Sequence, residues 1–208
     1  EVTMPATSEH HTMFEDFSAD PEGHRLGTPS GRIELFSETI AGFGYDDCPG
    51  HPAWLEPRER LGGPAAERHP LALVANQPST RLHSQLDGGG HSRAGKVAGR
   101  EAIRIHPDDA AARGIVDGDV VRVFNDRGAC LAGAVLSDAV RAGVVQLSTG
   151  AWYEPDAAGT CVAGNPNVLT VDAGTSRLAQ GSIGQLTLVD VERYEGTAPE
   201  LRSHIPPV

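Results

Sequence analysis

Basic residues are scarce in this chain, aromatics scarcer, and cysteine nearly absent. Of 208 residues, 17 are Lys or Arg against 28 Asp or Glu, a formal net charge of −11. Phosphate affinity rests on clustered cations, so a generic DNA- or RNA-binding surface is excluded and no nucleic-acid partner is expected. The three cysteines, Cys48, Cys130 and Cys161, are odd in number and form no CxxC. That argues against a disulfide framework and against a zinc or iron–sulfur site. No apolar run approaches the ~20 residues of a membrane helix, so no membrane span is expected. The opening EVTMPATSEHH lacks a cationic n-region followed by an apolar h-region, and no signal peptide is visible. GxGxxG, GxxxxGK[ST], GxSxG and HExxH are all missing, which leaves Rossmann, P-loop, hydrolase and zincin readings without support. The nine histidines are scattered apart from His10 and His11, a pair in a polar tail and weak evidence for a metal.

Glycine and proline, by contrast, are abundant. With 25 Gly and 15 Pro they make up about a fifth of the chain, against an average of roughly 12 %. So many breakers exclude a helical bundle and predict short elements joined by ordered loops. Residues 1–70 carry 13 acids against 5 bases, and the rest of the chain 15 against 12. Residues 1–30 hold too little apolar content for a core and read as an extended arm. TPSGRIELF (28–36) reads as a turn into a strand. SETIAGFG (37–44) reads as one or two helical turns with Ser37 as N-cap and Gly42 or Gly44 as stop. The stretch 45–70 holds five prolines and reads as a linker wrapping over a surface.

From residue 71 the pattern changes. LALVAN (71–76) is a short apolar run that predicts a buried strand. A polar loop over 77–99 follows, of a length that is uncommon inside a compact domain. REAIRI (100–105) alternates Ala102 and Arg104 against Ile103 and Ile105, a strand pattern. HPDDAAARGI (106–115) predicts a short helix, with Pro107 in its first turn, Asp108 and Asp109 at its positive end and Gly114 closing it. Residues 117–136 predict a hairpin turning at Asn125–Gly128. VVQLS (144–148) and QLTLVDVE (185–192) supply two more strands. Short strands with one or two small helices around a single core predict a mainly β, barrel-like fold.

Four loops carry the polar residues that no strand needs. In NQPSTRLHSQ (76–85), Asn76, Gln77, Ser84 and Gln85 offer donors and acceptors, Arg81 is a fork that can grip phosphate or stack on a ring, and His83 can donate to an anion. A turn network satisfying its own backbone accounts for them equally well. Arg81, Arg93, Lys96, Arg100 and Arg104 face only Asp87 and Glu101 within 76–106, a local basic patch that suits either a small anionic ligand or a solvated loop. In STGAWYEP (148–155), Trp152 and Tyr153 can wall a flat ligand or pack as core. In CVAGNPNVLT (161–170), Asn165 and Asn167 can present amides to a heterocycle or form a plain Asn-Pro turn. In VDAGTSRLAQG (171–181), Asp172 suits a pair of adjacent N–H donors, and Thr175 and Ser176 suit a phosphate or a cap.

Taken together these blocks resemble a known family. TPSGRIELFSETIAGFGYDDCPGHPAW (28–54), RLHSQL (81–86), GREAIRIHPDDAAARGI (99–115), STGAWYEP and GNPNVLTVDAGTSRLAQG (164–181) occur in the order of the C-terminal part of molybdopterin-dependent oxidoreductases of the dimethyl sulfoxide reductase family. The pairing of RLHSQ with GNPNVLTVDAGTSRLAQG is similar to the sulfoxide and N-oxide reductase branch, which includes biotin sulfoxide, dimethyl sulfoxide and trimethylamine N-oxide reductases.

The resemblance implies a six-stranded double-psi β-barrel over 71–195, preceded by an arm from the previous domain over 1–70 and followed by a tail over 196–208. It implies that Asn76, Arg81, His83, Ser84 and Gln85 contact a pterin or its dinucleotide, and that Trp152, Asn165, Asn167 and Asp172 line the same pocket. The implied cofactor is molybdenum bis(molybdopterin guanine dinucleotide), shared with upstream domains of a larger oxidoreductase, which would also supply the metal ligand. No catalytic or metal-ligating residue is therefore expected within these residues. The chain departs from the family at His106, where Asn is common, and at Arg32, where Lys is frequent. The resemblance leaves open the substrate, the choice of molybdenum or tungsten, and the compartment. The competing reading is a stand-alone β-barrel interaction module without cofactor, binding its partner through the acidic arm.

Overall fold

The computed structural model describes residues 12–185 and 187–205; the His10–His11 pair, Leu186 and the last three residues lie outside the described residues. The chain forms two compact units, one up to Trp54 and one from Leu55.

In the first unit, the turn at 28–31 forms as its residues dictate. Gly31 adopts φ +73° and donates its N–H to the Thr28 carbonyl at 2.9 Å. The strand expected after it does not form. Ile33 and Leu35 are 70 % and 80 % exposed, and no other strand exists in the described part of this unit to supply a ladder; alternating apolar residues alone do not hold an extended segment. Two short helices are present, α1 (Glu15–Ala19) and α2 (Glu38–Ala41). The Ser37 hydroxyl caps α2 by accepting the Ile40 N–H at 3.3 Å, as its sequence position predicts. The arm expected to be extended thus contains α1, whose first turn carries Glu15 and Asp16.

The second unit is built on six strands: β1 (Leu71–Val74), β2 (Ala102–Ile105), β3 (Val120–Phe124), β4 (Ala129–Leu136), β5 (Val144–Leu147) and β6 (Thr187–Arg193). They close into a barrel in the order β1-β5-β2-β4-β3-β6. The β1–β5 and β2–β4 pairs are parallel and the rest antiparallel. This is the closed six-stranded, mainly β architecture that the resemblance implies. The period-2 patterns explain the core: Leu71 and Leu73, Ile103 and Ile105, Val121 and Val123, Val145 and Leu147, and Val189 and Val191 all point inward and are buried. Closure leaves no free sheet edge, which is how short strands with unpaired backbone groups avoid pairing elsewhere.

β4 is buried along most of its length. Its first half runs past β2, and there Cys161 takes the edge: Leu131 donates to the Cys161 carbonyl at 2.8 Å and Cys161 to that of Ala129 at 3.0 Å. Gly133 is needed on this strand, because a Cβ there would come within 2.7 Å of the Val97 carbonyl oxygen. The β3–β4 turn closes through the Asn125 N–H on the Gly128 carbonyl at 3.1 Å. The polar loop over 77–99 is ordered and holds a short helix, α3 (Gly90–Ala94). The helix expected after β2 is α4 (Pro107–Ala111), ended by Gly114 at φ +64°.

Residues 55–70 are irregular apart from a 3-10 turn at Pro64–Glu67 and are fastened to the barrel. The Glu59 carboxylate pairs with Arg127 and accepts the Leu188 N–H at 2.7 Å. Burial would raise its pKa, but Arg127 and the Leu188 N–H outweigh that and hold it below the ordinary value. Arg68 and His69 both reach Asp126 on the hairpin turn, at 2.6 and 3.2 Å. No helix among the described residues is long and apolar enough to cross a membrane.

Candidate functional site

The loops that follow β1 and β5 meet with the loop carrying Asn165 around one open cavity of about 700 Å³, within the range of ligand pockets. Its walls include Asn76, Gln77, His83, Ser84, Trp152, Tyr153, Asn165 and Asn167. Six of the nine residues singled out in the sequence therefore share one cavity, although they are up to 91 positions apart in the chain. The other three sit differently. Arg81 is buried beneath the loop it belongs to, and Gln85 and Asp172 are exposed and do not line this cavity.

Each wall is held from behind. The Asn76 carboxamide oxygen accepts from Gln146 and, at 3.2 Å, from the Ser148 hydroxyl, while the Asn76 carbonyl accepts the Thr149 N–H at 2.9 Å. The Asn165 side chain accepts the Asn167 N–H at 2.9 Å and starts a 3-10 turn, Pro166–Val168, that ends at the fully buried Leu169. The Asn-Pro turn of the sequence is thus present, and the Asn165 and Asn167 side chains line the cavity. Trp152 and Tyr153 are not core residues. Trp152 is 42 % exposed and its indole N–H donates to the Ser84 carbonyl at 2.9 Å.

His83 sits in the left-handed region at φ +49°, and its carbonyl is packed directly against Gly150. A Cβ on Gly150 would fall far inside the 3.0 Å that real Cβ atoms respect, against the His83 carbonyl oxygen. Gly150 itself has φ +91°. Glycine is required there on both counts, and it brings the two pocket loops together.

The basic patch has a different role from the anion site one reading of the sequence suggested. Its central cations are consumed internally. Arg81, with its side chain 1 % exposed, pairs with Glu101 at 2.9 Å and Asp87 at 3.4 Å, and Lys96 pairs with the same two carboxylates at 3.2 and 2.8 Å. The Arg81 guanidinium also donates to the Ser92 hydroxyl at 3.1 Å, the His83 carbonyl at 3.2 Å and the Thr149 carbonyl at 2.8 Å. It therefore braces the backbone of both loops from below. Burial would raise the Asp87 pKa, but hydrogen bonds from Lys96 and His204, the Lys96 charge and the Trp152 N–H together lower it.

Sequence reasoning missed Gln185. Its carboxamide accepts the Ala75 N–H at 3.2 Å and donates to the Ala75 carbonyl at 2.8 Å, pairing with the backbone as a neighbouring strand would, just where β1 runs out. A lone glutamine before an apolar strand gives no signal of this. It also missed the C-terminal tail, whose His204 contacts Asp87 at 2.9 Å.

Amide side chains held by turns beside exposed aromatic rings suit the donor and acceptor edges of a fused heterocycle. Comparison with known proteins gives the class. Residues 71–187 match the family described as "Molydopterin dinucleotide binding domain", and the chain belongs to that family of molybdopterin-type cofactor-binding domains. Over 94 % of its length it is 54 % identical to a dimethyl sulfoxide/trimethylamine N-oxide reductase of Cereibacter sphaeroides, covering 24 % of that protein. It is 51 % identical to trimethylamine-N-oxide reductase 1 of Escherichia coli K12, with 93 % and 24 % covered. It is 50 % identical to the biotin sulfoxide reductase of Cereibacter sphaeroides, with 90 % and 25 % covered. The chain thus spans about a quarter of the length of these relatives. Among solved structures, acetylene hydratase from Pelobacter acetylenicus superposes with a TM-score of 0.66 at 21 % identity, covering 84 % of this chain and 25 % of that one; this likeness concerns the fold.

Proposed function

We propose that the cavity holds part of a bis(molybdopterin guanine dinucleotide) molybdenum cofactor within a larger oxidoreductase that reduces an S-oxide or N-oxide. Residues 1–70 would be the arm from the preceding domain, 71–195 the cofactor-binding barrel and 196–208 its tail. The observation that carries the reading is the convergence of Asn76, His83, Ser84, Trp152, Asn165 and Asn167 on one cavity, in a chain about 50 % identical to oxidoreductases of that kind.

When bound, the cofactor supplies the metal centre and its two-electron chemistry. The chain's own residues bind and orient its organic part. The Asn165 and Asn167 amides and the Asn76 and Gln77 side chains offer hydrogen bonds to ring edges. Trp152 provides a flat apolar face, and His83 and Ser84 extend the wall beside it, where the Ser84 carbonyl accepts the indole N–H. Gln85 and Asp172, exposed and outside the cavity lining, would contact a part of the dinucleotide that extends beyond it. Arg81 acts through the His83 and Thr149 carbonyls it holds. The metal ligand and the opposite half of the site would come from upstream domains of the parent protein. The cofactor-free interaction module has no observation in its favour once the family is known.

The test is cofactor content and release in the full-length protein carrying Asn165→Ala or Trp152→Leu. Release several-fold faster than wild type, with the barrel still folded, supports the assignment. Wild-type loading and release in both variants removes it.

A further inference from the structure

We propose that the C-terminal tail is a latch on the pocket, in which His204 positions Trp152 through the buried carboxylate of Asp87. The proposal rests on the reading of this cavity as a cofactor site. Asp87 is fully buried and joins three segments that are distant in sequence. One oxygen accepts the Trp152 backbone N–H at 3.1 Å and faces His204 Nε2 at 2.9 Å; a carboxylate only accepts, so Nε2 is the donor there. The other oxygen faces Lys96 at 2.8 Å and Arg81 at 3.4 Å. The imidazole of His204 also stands edge-on to the Trp152 indole, with ring centroids 5.6 Å apart. A single side chain of the tail thus touches both the indole and the carboxylate that fixes the backbone beneath it.

Separate contacts deliver His204 to this place. The Glu154 carboxylate, two residues beyond Trp152, accepts the N–H groups of Arg202 and Ser203 at 2.8 Å each. Burial would raise the Glu154 pKa, and these N–H groups outweigh that and lower it. Arg100 donates to the Pro199 carbonyl, and Leu201 packs on the barrel core. The tail is therefore fastened to the barrel at Pro199 and Leu201 and to the loop that presents Trp152 at Arg202 and Ser203. The indole needs the support. Part of its surface is open to the cavity, and its ring is held by the N–H bond to the Ser84 carbonyl at one edge and by the His204 imidazole at its flank. Removing His204 withdraws a donor from Asp87 and a ring from the indole's flank together.

The experiment uses the full-length protein with His204→Leu, His204→Gln and Asn165→Ala, reading backbone amide exchange over 150–154 and 202–203, and the rate of cofactor release. His204→Leu is expected to speed exchange at Trp152, with and without cofactor, and to speed release by about tenfold, the effect of one charge-assisted hydrogen bond. His204→Gln places an N–H donor near the position of Nε2 and is expected to restore both. Unchanged exchange at 150–154 in His204→Leu overturns the latch, as does failure of His204→Gln to restore it. If Asn165→Ala speeds release and His204→Leu does not, the latch falls and the pocket assignment stands. If exchange rises in His204→Leu but neither variant alters release, the pocket assignment itself has failed and the latch falls with it.

Discussion

Replacing Gly150 by alanine separates two effects that usually arrive together. The residue sits at φ +91°, and an L side chain in left-handed backbone costs about 1–2 kcal/mol. Its new Cβ would also collide with the His83 carbonyl oxygen, a backbone atom that cannot swing aside. Relieving such an overlap in a packed site costs about 1–3 kcal/mol, and it must push apart the loop of His83 and the loop of Trp152. The total is about 2–5 kcal/mol, concentrated at the pocket. Gly159 provides the control. It has φ +85°, and a Cβ added there would meet no heavy atom within 4 Å, so Gly159→Ala carries only the backbone cost of about 1–2 kcal/mol. Chemical denaturation and cofactor content of the full-length protein read the difference. Gly150→Ala should lose more stability than Gly159→Ala and should alone lose cofactor. Equal stability losses with full cofactor in both would refute the claim that close backbone approach shapes the cavity.

Four other outcomes follow from the same geometry. Arg81→Met leaves Asp87 and Glu101 sharing Lys96 in a buried site and should cost about 3–5 kcal/mol in denaturation; Arg81→Lys should rescue little, because one ammonium cannot span the five acceptors of the guanidinium fork. Asp87 has a lowered pKa in the folded state, so its contribution is fully present above the unfolded value of about 3.9 and is lost as pH falls through the folded value; Asp87→Asn should flatten the acid limb of the stability curve. Gly133→Ala should destabilise by about 1–3 kcal/mol through overlap with Val97, measured by the denaturation midpoint. Burial pushes the Cys130 thiol well above its ordinary pKa, so alkylation of the native protein followed by peptide mapping should modify the half-buried Cys48 and spare Cys130.

The barrel was legible because β1, β2, β3 and β5 carry period-2 patterns whose buried members are all aliphatic, as in Ile103 and Ile105. The turns were legible because Gly31, Gly114 and Asn125–Gly128 are residues with few other uses. Ile33 and Leu35 misled for a physical reason: alternation marks a surface that can be covered, and a strand also needs a neighbour to bond. In the site, loops following strands could be read as candidates, but their convergence is a property of closure and is not local. The charge patch shows the same limit. Arg81 and Lys96 look like ligand cations in one dimension, and only the fold brings Asp87 and Glu101 to meet them both. Gln185 and His204 carry no local mark, since their partners, Ala75 and Asp87, lie more than 100 residues away.

The way the barrel closes has a consequence for its synthesis. β6 pairs with β1 on one side and β3 on the other, so the strand made last is the one that shuts the cylinder. Until Arg193 has left the ribosome, the nascent sheet offers two unsatisfied edges and no finished cavity. Long-range pairings of this kind form slowly and are prone to wrong partners. A premature stop between Leu147 and Thr187 would therefore yield an adhesive open sheet rather than a smaller version of the same domain, and quality-control machinery would meet it as an aggregation hazard.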